Sequence, residues 1–425
     1  MADGSLPKPW MDVNEACDMK VTGVTGSNKP MDGVDPREPV RHLYVHVPFC
    51  AKVCPYCAFH VHRGGRAEQS RFVDALLREW EAAQALYDCA FETVYLGGGT
   101  PSILGAEDFT RMANALHAGV ATGGDREWTP EITLEVNPAT VTPAKAAAWR
   151  RGGVNRISLG AQSFDPAWLK LLGRQHKPED IVESVQQLRA EGFANIGIDL
   201  MFALPSQPVS VWRDTLAAAV ACGPDHLSAY ALTYEEDTPF LEKLKRGEWT
   251  RNDEREAEMF SMTVDFLAGH GLYAYEISNF ARPGRESRHN RAYWLGRDYL
   301  GLGPSAVSTL QGRRWRNAPD TQAYVEALLT LPGDGKGLAP RVDEEVVTEE
   351  IRQRERIMFG LRMREGVALE DLATLAAFGS DSPVAHVQAS TENIVREGLA
   401  VREEGRLRLT PRGRLVADSI AELFV

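Results

Sequence analysis

Six short runs of strand character, near residues 44, 94, 133, 157, 197 and 229, alternate with stretches of helical period. No other feature restricts the fold of this chain so tightly. Leu43–Val47, Thr93–Leu96, Ile132–Val136, Ile157–Gly160, Ile196–Phe202 and Leu227–Leu232 are rich in apolar and β-branched residues. From Gln69 the pattern turns helical, with Phe72, Leu76, Leu77 and Trp80 spaced by three and four. Asp108–Ala118, Thr142–Arg150, Pro178–Glu191 and Val211–Ala221 also read as helices. Alternating strand and helix predicts parallel strands joined by helical crossovers. Barrels of this kind keep their chemistry at the carboxyl ends of the strands, so the polar residues that follow each run are the candidates.

The first strand run leads into Cys50, Cys54 and Cys57, three thiols at i, i+4 and i+7 with no fourth nearby. A structural zinc ion wants four protein ligands. An iron-sulfur cluster can be held by thiolates alone, and three thiolates on a four-iron cluster leave one iron open to a small molecule. Zinc completed by His60 or His62, and cysteines that only pack, are the alternatives. Exposed or structural roles suit both histidines.

The second strand run ends in Gly97-Gly98-Gly99-Thr100. Consecutive glycines let the backbone approach a ligand and take positive φ, although a tight turn would use them too. Glu135 is an acid within an apolar strand. Burying a lone carboxylate is costly, so it needs a partner or a place at the barrel mouth. Further on, His289-Asn290-Arg291-Ala292-Tyr293-Trp294 offers a possible iron ligand beside flat aromatic surface, which suits a tetrapyrrole. A packed aromatic corner with a hydrogen-bonded histidine accounts for the same residues.

The chain has 425 residues, 44% of them hydrophobic and 25% charged, an ordinary globular balance for one large unit plus a smaller one. No apolar run approaches the roughly 18 residues of a membrane span. Met1-Ala2-Asp3-Gly4 lacks the basic and apolar regions of a signal peptide. Six cysteines do not make a disulfide framework, and a thiol cluster suits a reducing compartment, so a cytoplasmic location is expected. The net charge of −12 argues against general nucleic-acid binding.

Residues 1–38, with Cys17, are expected to form a loose extension, 39–235 the core barrel and 236–340 an accessory region packing on it. The accessory region carries a charged helix from Asp253 to Gly269, a strand-like aromatic run Tyr273–Phe280 and a glycine turn Gly301–Ser308. Residues 341–425, with helices at Gln353–Met363 and Leu369–Phe378, a strand at Arg406–Thr410 and a last helix, suggest a winged-helix-like domain. A packing or lid role fits it better than DNA binding.

The Cys50–Cys57 loop resembles the cluster loop of the radical S-adenosylmethionine (SAM) enzymes. From about residue 41 to 420 the chain is similar to the oxygen-independent coproporphyrinogen III oxidase family. Leu43–Cys50, the triple glycine, Tyr275–Ala281 and His289–Trp294 carry that likeness. The resemblance implies an α/β fold built on a partial (βα)6 barrel. It implies a [4Fe-4S] cluster on Cys50, Cys54 and Cys57, whose open iron chelates the amine and carboxylate of SAM and which, once reduced, cleaves it. It places Gly97, Gly98, Gly99 and Thr100 at the amino group of SAM and Glu135 near SAM. Gln162, Arg174 and Asp199 match positions that hold its methionine carboxylate and ribose.

Two branches of the family differ. The oxidase branch has a fourth cysteine two positions beyond the third, where this chain has Phe59, and an N-terminal segment that residues 1–38 do not match. Both departures favour the haem-chaperone branch, as does His289-Asn290 with Tyr293-Trp294. That branch implies haem as a further cofactor, with His289 at it, and a haem-accepting respiratory protein as partner. It also implies transient association with a membrane surface and SAM serving regulation, assembly or a radical step. Oxidation of coproporphyrinogen III or another organic substrate is the alternative, and a structural metal protein without SAM chemistry is the third reading. The turn near 301 departs from the family, reading Ala306-Val307-Ser308 where Ala-His-Ser is usual. Valine cannot ligate iron or carry a proton, so haem would need His289 or another group.

Overall fold

The computed structural model describes residues 38–120, 129–330, 338–378 and 384–424. Apart from Glu38, the expected N-terminal extension and Cys17 lie outside the described residues. Strands β1 (Val40–Val47), β2 (Cys89–Gly98), β3 (Glu131–Val136), β4 (Arg156–Gln162), β5 (Ile196–Phe202) and β6 (His226–Ala231) lie side by side in that order, all parallel. Helices Arg66–Leu86, Ala106–Leu116, Pro143–Arg151, Pro178–Ala190 and Val209–Ala221 occupy the crossovers. Leu43, Val45, Leu134, Ile157, Ile198 and Leu200 are fully buried. Covering a parallel sheet with helices produces such near-continuous apolar strands.

Local chemistry starts the helices where the sequence pattern changes. The Thr142 side chain accepts the backbone N–H of Lys145, and Pro143 occupies the first turn, where its missing N–H costs nothing. Asp165 caps a short helix, Pro166–Leu171, that periodicity did not reveal. Six residues are too few for a period to register.

Three strands from later in the chain complete the sheet. Strand β7 (Tyr273–Ala274) and strand β8 (Asn279–Ala281) form a hairpin whose second strand pairs antiparallel with β6. The Tyr273–Phe280 run is therefore not one strand. The Tyr275 N–H donates to the Asn279 carbonyl at 3.1 Å, and the Glu276 carboxylate accepts the Ser278 N–H at 3.1 Å, closing a turn in its middle. At the opposite edge β9 (Leu300–Leu302) lies parallel to β1. The glycine turn thus begins as a strand. Close packing explains Gly301, since a Cβ there would meet the Val307 carbonyl oxygen at 2.1 Å.

A second sheet of β10 (Val307–Leu310), β11 (Arg313–Asn317) and β12 (Arg341–Val346) is antiparallel. It is tied to the core through Glu79, a buried carboxylate on the first crossover helix. Glu79 accepts from the Gly303 N–H (2.8 Å), the Asn317 amide (2.7 Å) and the Tyr324 hydroxyl (2.6 Å). Three donors offset much of the cost of burying that group.

The C-terminal residues form helices Glu349–Arg362, Leu369–Phe378 and Val384–Arg396 with a small sheet of β13 (Val367–Ala368), β14 (Ala400–Glu403) and β15 (Arg406–Leu409), ordered β13-β15-β14. This unit grips the preceding residues at specific points. The Arg364 N–H donates to the Tyr275 carbonyl at 3.0 Å, Arg291 pairs with Glu365 at 2.9 Å, and Trp294 packs edge-on against Phe359. No helix among the described residues is long and apolar enough to cross a membrane.

Candidate functional site

A cavity of about 600 Å³ runs from the carboxyl ends of the strands into the barrel interior. All the predicted site residues except Gly97 line it. Its volume lies within the range of small-molecule and cofactor sites.

The cysteine loop forms the mouth. The Cys57 N–H donates to the Cys54 carbonyl (3.2 Å), and the Cys50 N–H to the His62 carbonyl (2.9 Å), which closes the loop on itself. The end of β2 braces it, with the Gly99 N–H on the Val47 carbonyl (2.9 Å) and the Thr100 N–H on the Phe49 carbonyl (2.8 Å). Cys50 Sγ lies 3.5 Å from Thr100 Oγ1, and Arg174 Nη1 donates to Cys54 Sγ at 3.7 Å. Burial raises the Cys50 thiol and pushes that of Cys57 up to about 12, the latter with help from the neighbouring thiols. Thiols held this high stay protonated unless a metal claims them, because coordination removes the proton outright.

Neither nearby histidine completes a zinc site. His60 Nε2 lies 3.0 Å from Thr321 Oγ1, and His62 Nε2 lies 3.1 Å from Glu68. Among the described residues no three His, Cys, Asp or Glu side chains converge on one point suited to a single ion. A donor set of three thiols on one braced loop, facing a cavity, fits a cluster in which iron-bound thiolates need not share one metal.

The other mouth residues are placed by strand ends. Gly98 has φ of 103°, and a Cβ on it would come within 2.6 Å of the His46 ring. Gly97, one residue earlier in β2, faces Tyr95 and Glu135, so a side chain there would strike the carboxylate. Glu135 has the partners its position demands, accepting from the Tyr95 hydroxyl at 2.9 Å and the Gly98 N–H at 3.2 Å. Asp199 accepts from Ser158 (2.8 Å) and Ser228 (2.7 Å), one serine from each flanking strand, and burial raises its carboxyl.

Gln162 has φ of 66° where the β4–β5 register shifts between Gly160 and Gln162. A non-glycine residue held there costs on the order of 1–3 kcal/mol, a strain that concentrates at ligand clamps.

His289 lies at the other end. Its helix, Arg288–Trp294, starts on a Ser287 cap, and the N–H groups of Arg288 and His289 donate to the buried Glu131 carboxylate at the start of β3. A negative group at a helix N-terminus is favourable. Thr93 Oγ1 lies 2.7 Å from His289 Nδ1 and 3.0 Å from His42 Nδ1. One hydroxyl between two imidazoles donates to one and accepts from the other, so the pair cannot share one tautomer. The His289 ring stacks on Tyr95 and meets Tyr293 edge-on, while its Nε2 is buried with no hydrogen-bond partner. Burial holds the imidazole well below its ordinary pKa and lowers that of His42 to about 4.

These contacts put His289 on the floor of the barrel rather than at its mouth. Gly98 lies five residues beyond Thr93 along β2, about 16 Å of strand. Val307 lines the same cavity, opposite Arg316 in the β10–β11 pair. Tyr95, Thr93, Glu131 and His42 escaped sequence reasoning. Each lies within or at the start of a strand, where alternation alone assigns a face but no contact.

Parallel strands with this loop at their carboxyl ends define a radical SAM barrel, and residues 44–219 match the Radical SAM superfamily. Residues 347–416 match the HemN C-terminal domain. The chain is 31% identical over 383 residues to the heme chaperone HemW of Lactococcus lactis, covering 90% of this chain and 96% of that protein. It is 34% identical over 390 residues to HemW of Mycobacterium tuberculosis, covering 90% and 94%. Among solved structures, coproporphyrinogen III oxidase (HemN) of Escherichia coli, a radical SAM enzyme, superposes with a TM-score of 0.76 over 91% of both chains at 23% identity. That likeness establishes the fold. The chain belongs to the HemW family of heme chaperones.

Proposed function

We propose that this chain binds haem within the barrel cavity, carries a [4Fe-4S] cluster and SAM at the mouth, and passes haem to a respiratory haem protein. One continuous cavity lined by both the cysteine loop and His289, whose Nε2 is unpartnered, carries this reading. Cys50, Cys54 and Cys57 would hold the cluster, which supplies one-electron chemistry and an open iron for SAM. Glu135, presented by Tyr95 and the Gly98 N–H, receives the amino group of SAM beside the glycines. Asp199, fixed by two serines, suits the ribose hydroxyls, and Arg174 the methionine carboxylate. At the floor, neutral His289 offers a lone pair once Thr93 fixes the proton on Nδ1. Tyr95 and Tyr293 supply flat surface beside that nitrogen.

The acceptor protein, a transient membrane-surface encounter and a cytoplasmic location belong to the same proposal. A second reading has its own support. His289 is buried to 1% exposure and packed between Tyr95, Tyr293 and Thr93, as a structural plug would be. Haem titration of the reconstituted protein and its H289A variant decides between them. A changed Soret spectrum with weakened binding supports ligation, and an unaltered spectrum and affinity return His289 to packing. Anaerobic incubation with SAM, dithionite and coproporphyrinogen III tests the oxidase alternative. Formation of protoporphyrinogen IX and 5′-deoxyadenosine together overturns the chaperone reading.

A further inference from the structure

Arg174 makes two contacts of different kinds. Its Nη2 donates to the Gly160 carbonyl at 2.8 Å, at the bulge that ends β4. Its Nη1 points at Cys54 Sγ, 3.7 Å away. The Nε–H is buried without an acceptor. Backbone packing supports the arrangement, because Gly173 lies against Pro55 inside the cysteine loop and a Cβ on Gly173 would meet Pro55 Cδ at 2.9 Å. The guanidinium therefore bridges the barrel wall and one thiol of the loop.

We propose that Arg174 sets the reduction potential of the cluster by hydrogen-bonding the Cys54 sulfur, whether or not SAM is bound. The inference rests on the radical SAM reading of the mouth and adds to Arg174 a task separate from holding a carboxylate. Reduction brings one electron onto the cluster from an external one-electron donor, with no bond made or broken. A fixed positive charge and an N–H···S bond both favour the more negative, reduced state, and a low local dielectric enlarges both effects. Arginine suits the position better than lysine, since its planar fork can grip the Gly160 carbonyl with one nitrogen and the sulfur with another.

The two roles separate in one experiment. The cluster midpoint potential is read by electron paramagnetic resonance during redox titration of the reconstituted full chain, for wild type, R174Q and R174K, each with and without SAM. The spectrum reports only loaded protein, so partial cluster loss does not obscure the comparison. R174Q is expected to shift to more negative potential even without SAM, and R174K to shift less. A residue that merely anchors the SAM carboxylate would leave the SAM-free potential of both variants at the wild-type value, and that outcome overturns the proposal. Wild-type protein that assembles no cluster fails at the earlier step, and the proposal falls with the radical SAM reading.

Discussion

The two ends of the cavity are built on opposite plans. At the mouth, thiols, a guanidinium and two carboxylates gather, and the carboxylates are already engaged by hydroxyls or backbone N–H groups. At the floor, neutral rings surround a single unpartnered nitrogen. The mouth suits a charged, many-handed ligand such as SAM. The floor suits an apolar ring system with one demanding atom. Tyr95 links the two ends, its hydroxyl on the mouth carboxylate Glu135 and its ring stacked on His289.

Substitutions can break this division. The largest effect is expected at the loop, where C50S, C54S or C57S should reduce cluster iron to background while leaving haem affinity unchanged. Iron analysis beside haem titration checks both halves, and full iron content in any of the three ends the assignment. H289A should do the reverse, keeping iron and losing haem affinity. Its effect should exceed that of T93V, which removes only the partner of the ligand and should cost roughly 10- to 100-fold.

D199N or E135Q should weaken SAM binding about ten- to a hundredfold, the worth of one charge-assisted hydrogen bond, with haem binding untouched. Equal losses for both ligands would show that the ends are not independent.

Acid should act on the floor through His42. Its folded pKa of about 4 lies below the ordinary histidine value of about 6.5, so the unfolded chain binds the extra proton between those limits. Its contribution is complete above pH 6.5 and is withdrawn as pH falls towards 4. Between pH 7 and pH 5 that amounts to about 2 kcal/mol. Denaturant unfolding at the two pH values should show H42N losing less stability on acidification than wild type, and parallel losses would remove His42 from the account. The smallest effect is expected for V307H, which places an imidazole on the cavity wall. It should alter the haem spectrum only if the imidazole reaches iron.

Sequence reasoning served the mouth far better than the floor, for a physical reason. Cys50, Cys54 and Cys57 share one loop, the glycines close the second strand run, and Gln162, Arg174 and Asp199 came through the family resemblance. Spacing and strand ends are local properties. Thr93 meets His289, and Glu131 caps its helix, across separations that no window covers. The six βα units were legible because each is a local repeat, whereas β9 joins β1 across more than half of the chain. The hairpin within Tyr273–Phe280 was hidden because β-favouring residues run straight through its turn.

The pairing of β9 with β1 also puts the assembly of the site on a clock. A chain made from its N-terminus presents the cysteine loop early, with one flank of β1 uncovered. That flank waits for residues 300–302, and the Glu79 carboxylate waits longer still for Asn317 and Tyr324. Contacts so distant in sequence form late. The free edge of β1, the strand that leads into the cysteine loop, therefore stays uncovered until residues 300–302 have been made.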